Sequence, residues 1–136
     1  MNLFERFCSP ENLKQAFTYL TREVEKTSLP IDPIWTPALS AMEHLGDGFF
    51  GAAGKVLSGE HYSPEKAGFL YAPKDNLGVR PIANLAVFDR LVYQALLNPG
   101  VLGNAIDKKL LGSCCGNRLG TEETYLKHYK SPWITF

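Results

Sequence analysis

The chain has 136 residues, 45% of them hydrophobic, and its fourteen Lys and Arg balance fourteen Asp and Glu to a formal net charge of zero. That size and apolar content suit one domain that buries roughly two-thirds of its unfolded surface, and the charge balance gives no whole-chain argument for nucleic acid. The N-terminal "MNLFERFCSP" carries Glu5 and Arg6 inside its only short apolar stretch, and no run approaches the ~18 apolar residues that a bilayer span needs, so no membrane role and a cytoplasmic location are expected.

Three cysteines, Cys8, Cys114 and Cys115, are too few and too badly spaced for a disulfide framework or a zinc pair. They read as small, reduced, packed side chains. Charge is split along the chain: residues 1–65 hold five Lys and Arg against nine Asp and Glu (net −4), and residues 66–136 hold nine against five (net +4). Such a split suggests one face for a polyanion and another for solvent or protein.

In chain order, "SPENLKQAFTYLTREVEKTS" is the clearest helix. Ser9 can cap it, Pro10 suits its first position, and Leu13, Ala16, Phe17, Leu20 and Val24 recur on one face. Leu29-Pro30 and Asp32-Pro33 are its stop signals. A second helical stretch runs from about Thr36 to Leu45, and "GDGFFGAAGKVLSG" up to Gly59 predicts a short or broken helix. Gly46, Gly48 and Gly51 fit G-x-G-x-x-G, and Gly54-Lys55 resembles the end of a phosphate loop. The required context is missing: no apolar strand precedes Gly46, Phe49 stands where the first loop glycine belongs, and Val56 replaces Ser or Thr. These glycines read instead as loosening a helix joint.

"GFLYAPKDNLGVRPIANL" predicts a β-hairpin. Phe69, Leu70 and Tyr71, then Val79, Ile82 and Leu85, flank the turn cluster Asp75-Asn76-Leu77-Gly78. Lys74 and Arg80 sit on either side of the turn. Because side chains alternate faces along a strand, an even-numbered loop sends the two cations apart, whereas a loop of three or five residues brings them together. Together they form a clamp for phosphate oxygens, with Arg as a fork and Lys as a point charge. Apart, they belong to an ordinary solvated hairpin tip.

A second strong helix begins at Ala86. Leu85, Phe88, Leu91, Val92, Ala95 and Leu96 form its buried stripe, and Asp89, Arg90, Tyr93 and Gln94 fall on its more polar side. Asn98-Pro99-Gly100 closes or interrupts it, and a short helix is expected around Leu102 to Leu110. "GSCCGNRLGTEE" is a glycine-punctuated loop leading to a helix capped by Thr121, with Glu122 and Glu123 in its first turn and His128 near its end. The three histidines match no ligand spacing, and no catalytic constellation is complete. The fold class expected is α+β, mainly helical with one antiparallel hairpin.

Three motifs then carry a resemblance. Arg80-Pro81-Ile82 closes the basic hairpin, Asp89-Arg90-Leu91-Val92 with Gln94-Ala95-Leu96 forms the next helix, and Ser113 to Arg118 forms a glycine loop. In this order the chain resembles the N-terminal fingers region of bacterial reverse transcriptases of the group II intron, retron and phage-defence type, over about residues 68–136. The resemblance implies a single partial domain: residues 1–65 helical and acidic, 66–130 the fingers hairpin, helices and basic loop, and 131–136 the start of a palm strand. Trp133-Ile134-Thr135-Phe136 looks like the lead-in to a metal-binding palm aspartate that would come next.

The implied function is the fingers segment of an RNA-directed DNA polymerase, positioning template and incoming dNTP but not catalytic alone. By that resemblance Lys74 and Arg80 contact the triphosphate, Gly116, Asn117 and Arg118 lie against template or nucleotide, and Pro81, Asp89, Arg90 and Gln94 are structural. The implied partners are an RNA template, a DNA primer and a missing palm and thumb segment or second polypeptide. The chain carries no cofactor site of its own; a complete enzyme would use Mg²⁺, which needs fixed oxygen ligands. Asp89, at a helix start, is expected to cap or to pair with Arg90 or another cation. Cys115 departs from the family, which usually has an aromatic residue before the loop glycine. The alternative reading is a non-catalytic RNA-binding or interaction module derived from such an enzyme.

Overall fold

A computed structural model describes residues 1–26, 35–59, 61–73 and 78–109. Over these residues the chain is mainly helical with one two-stranded antiparallel hairpin, the α+β class expected from the sequence. Leu29-Pro30, Asp32-Pro33, the turn residues Asp75, Asn76 and Leu77, and the calls from Ser113 through Phe136 lie outside the described residues. Among the described residues no helix is long and apolar enough to cross a membrane.

Helix α1 (Leu3–Phe7) opens with a reciprocal cap that the sequence reading did not single out. The Asn2 side chain accepts from the Glu5 amide at 2.8 Å, and the Glu5 carboxylate accepts from the Asn2 amide at 2.9 Å. Each thereby satisfies a donor that a helix start leaves unpaired. Helix α2 (Pro10–Lys26) starts as its residues dictate, with Ser9 Oγ accepting from the Asn12 amide at 3.3 Å. Its expected stripe is inside: Leu13, Ala16 and Leu20 are fully buried, Phe17 is buried and Val24 partly so.

Helix α3 (Trp35–Ser58) is broken at Gly46, whose φ of 53° and ψ of −135° leave the helical region. A glycine reaches this conformation without a Cβ clash, which is why the break falls there. Gly54 has a different reason to be glycine: a Cβ there would overlap the Cys8 carbonyl oxygen at the end of α1. Among the described residues no strand precedes the glycine stretch; the residues directly before Gly46 are helical. Cys8 itself is free and buried, and burial pushes its thiol pKa up.

Strands β1 (Gly68–Pro73) and β2 (Val79–Asn84) form the hairpin. Helix α4 (Val87–Leu97) then packs mainly on α2, burying Leu91 and Ala95 fully and Val87 and Val92 nearly so. Burying each such leucine contributes about 1.5–3 kcal/mol.

Two assignments around α4 need correction. Gln94 and Asp89, placed on the polar side by spacing, are both buried. A single-stripe reading fails because α4 is covered on more than one side, and polar partners wait for both. Gln94 Nε2 donates to Asn98 Oδ1 at 3.5 Å; Asn98 Nδ2 donates to the Asn12 carbonyl and side-chain oxygens at 3.0 and 2.8 Å; Asn12 Nδ2 donates to the Phe7 and Ala95 carbonyls at 3.0 and 3.2 Å. This satisfied network joins the α1–α2 corner to the end of α4, where an unpaired member would be costly.

The short helix expected around Leu102 to Leu110 is present, starting two residues later. A π-helical turn over Pro99–Gly103 comes first, and α5 occupies Asn104–Lys109. Asn98, drawn inward by its amide bonds, has extended ψ of 144°, and its carbonyl accepts from Gly103 N at 3.1 Å. The chain therefore restarts with a wider turn.

Candidate functional site

The hairpin register pairs Gly68 with Asn84, Phe69 with Ala83, Leu70 with Ile82, Tyr71 with Pro81, Ala72 with Arg80 and Pro73 with Val79. Cross-strand partners share a face. One face carries Leu70, Ala72, Arg80, Ile82 and Asn84, with Ala72 buried and Leu70 and Ile82 half-buried. The opposite face carries Phe69, Tyr71, Pro73, Val79, Pro81 and Ala83 and is open: Phe69, Tyr71 and Val79 are 63%, 68% and 57% exposed. Proline at position 81 donates no backbone hydrogen bond, as an edge strand tolerates.

The register ends with Pro73 paired to Val79, and residues 74–78 lie between them. Lys74 itself lies outside the described residues, as do Gly116, Asn117 and Arg118. Arg80 is exposed at the turn end of β2, opposite Ala72, and forms no ion pair with another described residue.

Asp89 is at the third position of α4, yet it neither caps that helix nor pairs with Arg90. Its two carboxylate oxygens accept from the Tyr62 hydroxyl at 2.7 Å and from the Glu65 amide at 2.9 Å. Burial first, then the hydrogen bond to Asp89 and the charge of that carboxylate, push the Tyr62 phenol well above its ordinary pKa, so it keeps its proton as donor. Arg90 turns the other way, one guanidinium nitrogen contacting both Glu23 oxygens at 2.9 and 2.7 Å with the Tyr93 ring 5.4 Å away. That partly exposed ion pair is worth up to about 1 kcal/mol. It ties α4 to α2.

Two contacts lock the base of the hairpin. The Trp35 indole donates to the Leu85 carbonyl at 3.3 Å, one residue beyond β2, and Tyr62 and Glu65 bind Asp89 just before β1. Tyr62 also ends a chain of edge-on ring contacts, Phe17 to Phe50 at 5.6 Å, Phe50 to Phe49 at 5.3 Å, Phe49 to Phe88 at 6.3 Å and Phe88 to Tyr62 at 5.9 Å. Such pairs add packing energy beyond area alone.

Sequence reasoning missed Tyr62, Glu65 and Trp35 as anchors, since "EHYSPEKAG" has no periodicity and a backbone amide has no residue signature. The open face was within reach: Phe69 and Tyr71 are two apart and must share a side. Among the described residues no three His, Cys, Asp or Glu side chains are gathered as a metal ion would require. No protein-family model, no curated protein and no solved structure matches the chain.

Proposed function

We propose that this chain is the fingers segment of a cytoplasmic RNA-directed DNA polymerase, a reverse transcriptase, in which the hairpin presents Lys74 and Arg80 to the incoming dNTP and the Ser113–Arg118 loop faces template or nucleotide. The reading rests on the three motifs in their order. The observation that carries it is the register that places Arg80 on β2 and leaves five residues, Lys74 among them, between Pro73 and Val79. A guanidinium and an ammonium beside one turn suit phosphate oxygens.

Metal chemistry is not assigned to these residues. Asp89 already accepts two hydrogen bonds, and among the described residues no three His, Cys, Asp or Glu side chains are gathered to hold a metal ion. The carboxylates for Mg²⁺, together with the RNA template and DNA primer grip, belong on this reading to a palm and thumb outside the 136 residues or on a second polypeptide.

A second reading has an observation of its own. The open Phe69 and Tyr71 rings suit single-stranded RNA, whose bases stack on aromatic side chains for about 1–3 kcal/mol each, and on this reading the chain is a non-catalytic RNA-binding module. Equilibrium binding of a deoxynucleoside triphosphate and of an oligouridylate, each across a salt series, tests both. Arg80→Ala and Lys74→Ala are each expected to weaken both ligands and to reduce the RNA salt slope by about one. RNA binding with no triphosphate binding removes the polymerase reading in favour of the module; no binding of either at low salt removes both.

A further inference from the structure

We propose that Asp89 is a positioning residue for the hairpin, setting the direction in which Arg80 and the open aromatic face are presented. Its role as a positioner of a binding surface rests on the function proposed above; its role as an anchor does not.

The hairpin meets the helical body at two roots. Residues 61–67 lead into β1 without regular structure, so no backbone ladder of their own fixes their course. Asp89 supplies the missing constraint. Its buried carboxylate holds the Tyr62 hydroxyl and the Glu65 amide, the latter three residues before Gly68. The other root is covalently continuous with α4 through Leu85 and Ala86, and the Trp35 indole on the Leu85 carbonyl holds it against α3. Both legs of the arm are therefore fixed within a few residues of the strands. Among the described residues the two strands pair with each other alone, and one face of the hairpin is left open.

A carboxylate suits this place better than a neutral side chain. It accepts at both oxygens, and bonds to an ionised acceptor are roughly twice as strong as neutral ones. Its position in the first turn of α4 also places the negative charge at the positive end of the helix. Asp89 thus couples the entry of β1 to the same helix that β2 runs into.

The full 136-residue chain is compared with its Asp89→Ala, Tyr62→Phe, Trp35→Phe and Arg80→Ala variants by amide hydrogen exchange and residual dipolar couplings, and by oligouridylate affinity across a salt series. In Asp89→Ala the Glu65 amide is expected to lose protection by about tenfold or more, as losing a bond to a charged acceptor implies. Couplings over Gly68–Asn84 should shrink while those of α2 and α4 keep their values. Tyr62→Phe keeps the ring and should show a smaller loosening, which keeps the test decisive if Asp89→Ala folds poorly.

RNA affinity should fall several-fold in Asp89→Ala with the salt slope unchanged, because no cation has been removed. A purely structural aspartate on the wrong side of the arm would leave affinity unchanged, or raise it by deleting a negative charge. Hairpin couplings and Glu65 protection that match the unaltered chain in both Asp89→Ala and Tyr62→Phe would overturn the proposal. An Arg80→Ala chain that binds RNA normally would instead sink the functional reading and leave the anchoring result standing on its couplings alone.

Discussion

The helical body and the hairpin are built on opposite principles. In the body, Leu13, Leu20 and Leu91 are fully buried, the Asn12–Gln94–Asn98 network is satisfied, and glycine is used where another backbone comes too close. In the hairpin, six residue pairs share a ladder, one face is open, and order comes from the two roots. An isolated two-stranded hairpin is marginal in water. The comparison teaches that the arm borrows its geometry from the body, through Asp89 and Trp35, and is left free to present side chains outward.

The largest test of that division is Leu91→Ala. It removes a fully buried side chain between α4 and α2, and a loss of about 2–5 kcal/mol is expected in urea unfolding followed by far-ultraviolet circular dichroism. Hairpin amide signals should disappear in the same transition, since both roots rest on α4 or its partners. A hairpin that outlives the body would break the comparison. Next in size is Gly54→Ala, whose new methyl would meet the Cys8 carbonyl, a backbone atom that cannot step aside cheaply. A cost of about 1–3 kcal/mol is expected by the same unfolding measurement. Gly51→Ala is the internal control: nothing lies within 4 Å of its added Cβ, and it should stabilise the helix by about 0.5–1 kcal/mol.

These contrasts also mark what the sequence disclosed. The α2 stripe, its Ser9-Pro10 start, the break in the glycine stretch and the hairpin were legible because each depends on local spacing or on a residue's own conformational preference. Asp89 and Gln94 were misplaced for the complementary reason. Helical periodicity assigns one buried face, and it has no means of foreseeing that Tyr62, twenty-seven residues earlier, would bring a hydroxyl to Asp89. The π-helical turn was hidden for a similar reason: it follows from the inward pull on Asn98 by Asn12, a contact across eighty-six positions. Of the candidate site, the strand position of Arg80 was legible and its parity was not, because parity depends on loop length and only the register supplies that.

The smallest expected effect on folding is the most informative about the arm. Phe69→Ser combined with Tyr71→Ser alters two side chains that are 63% and 68% exposed and opposite Ala83 and Pro81, so the urea midpoint of the helical body should shift by no more than about 0.5 kcal/mol in equivalent stability. Phe69 and Tyr71 expose large apolar rings to water, and a partner that covers them would offset that cost. If the partner is single-stranded RNA, the double variant binds oligouridylate more weakly with an unchanged salt slope, the reverse of the Arg80→Ala pattern, because stacking has been lost and no phosphate contact has. A midpoint that falls as far as in Leu91→Ala would mean that the rings belong to the core, and the separation of body from arm would then fail at its outer face.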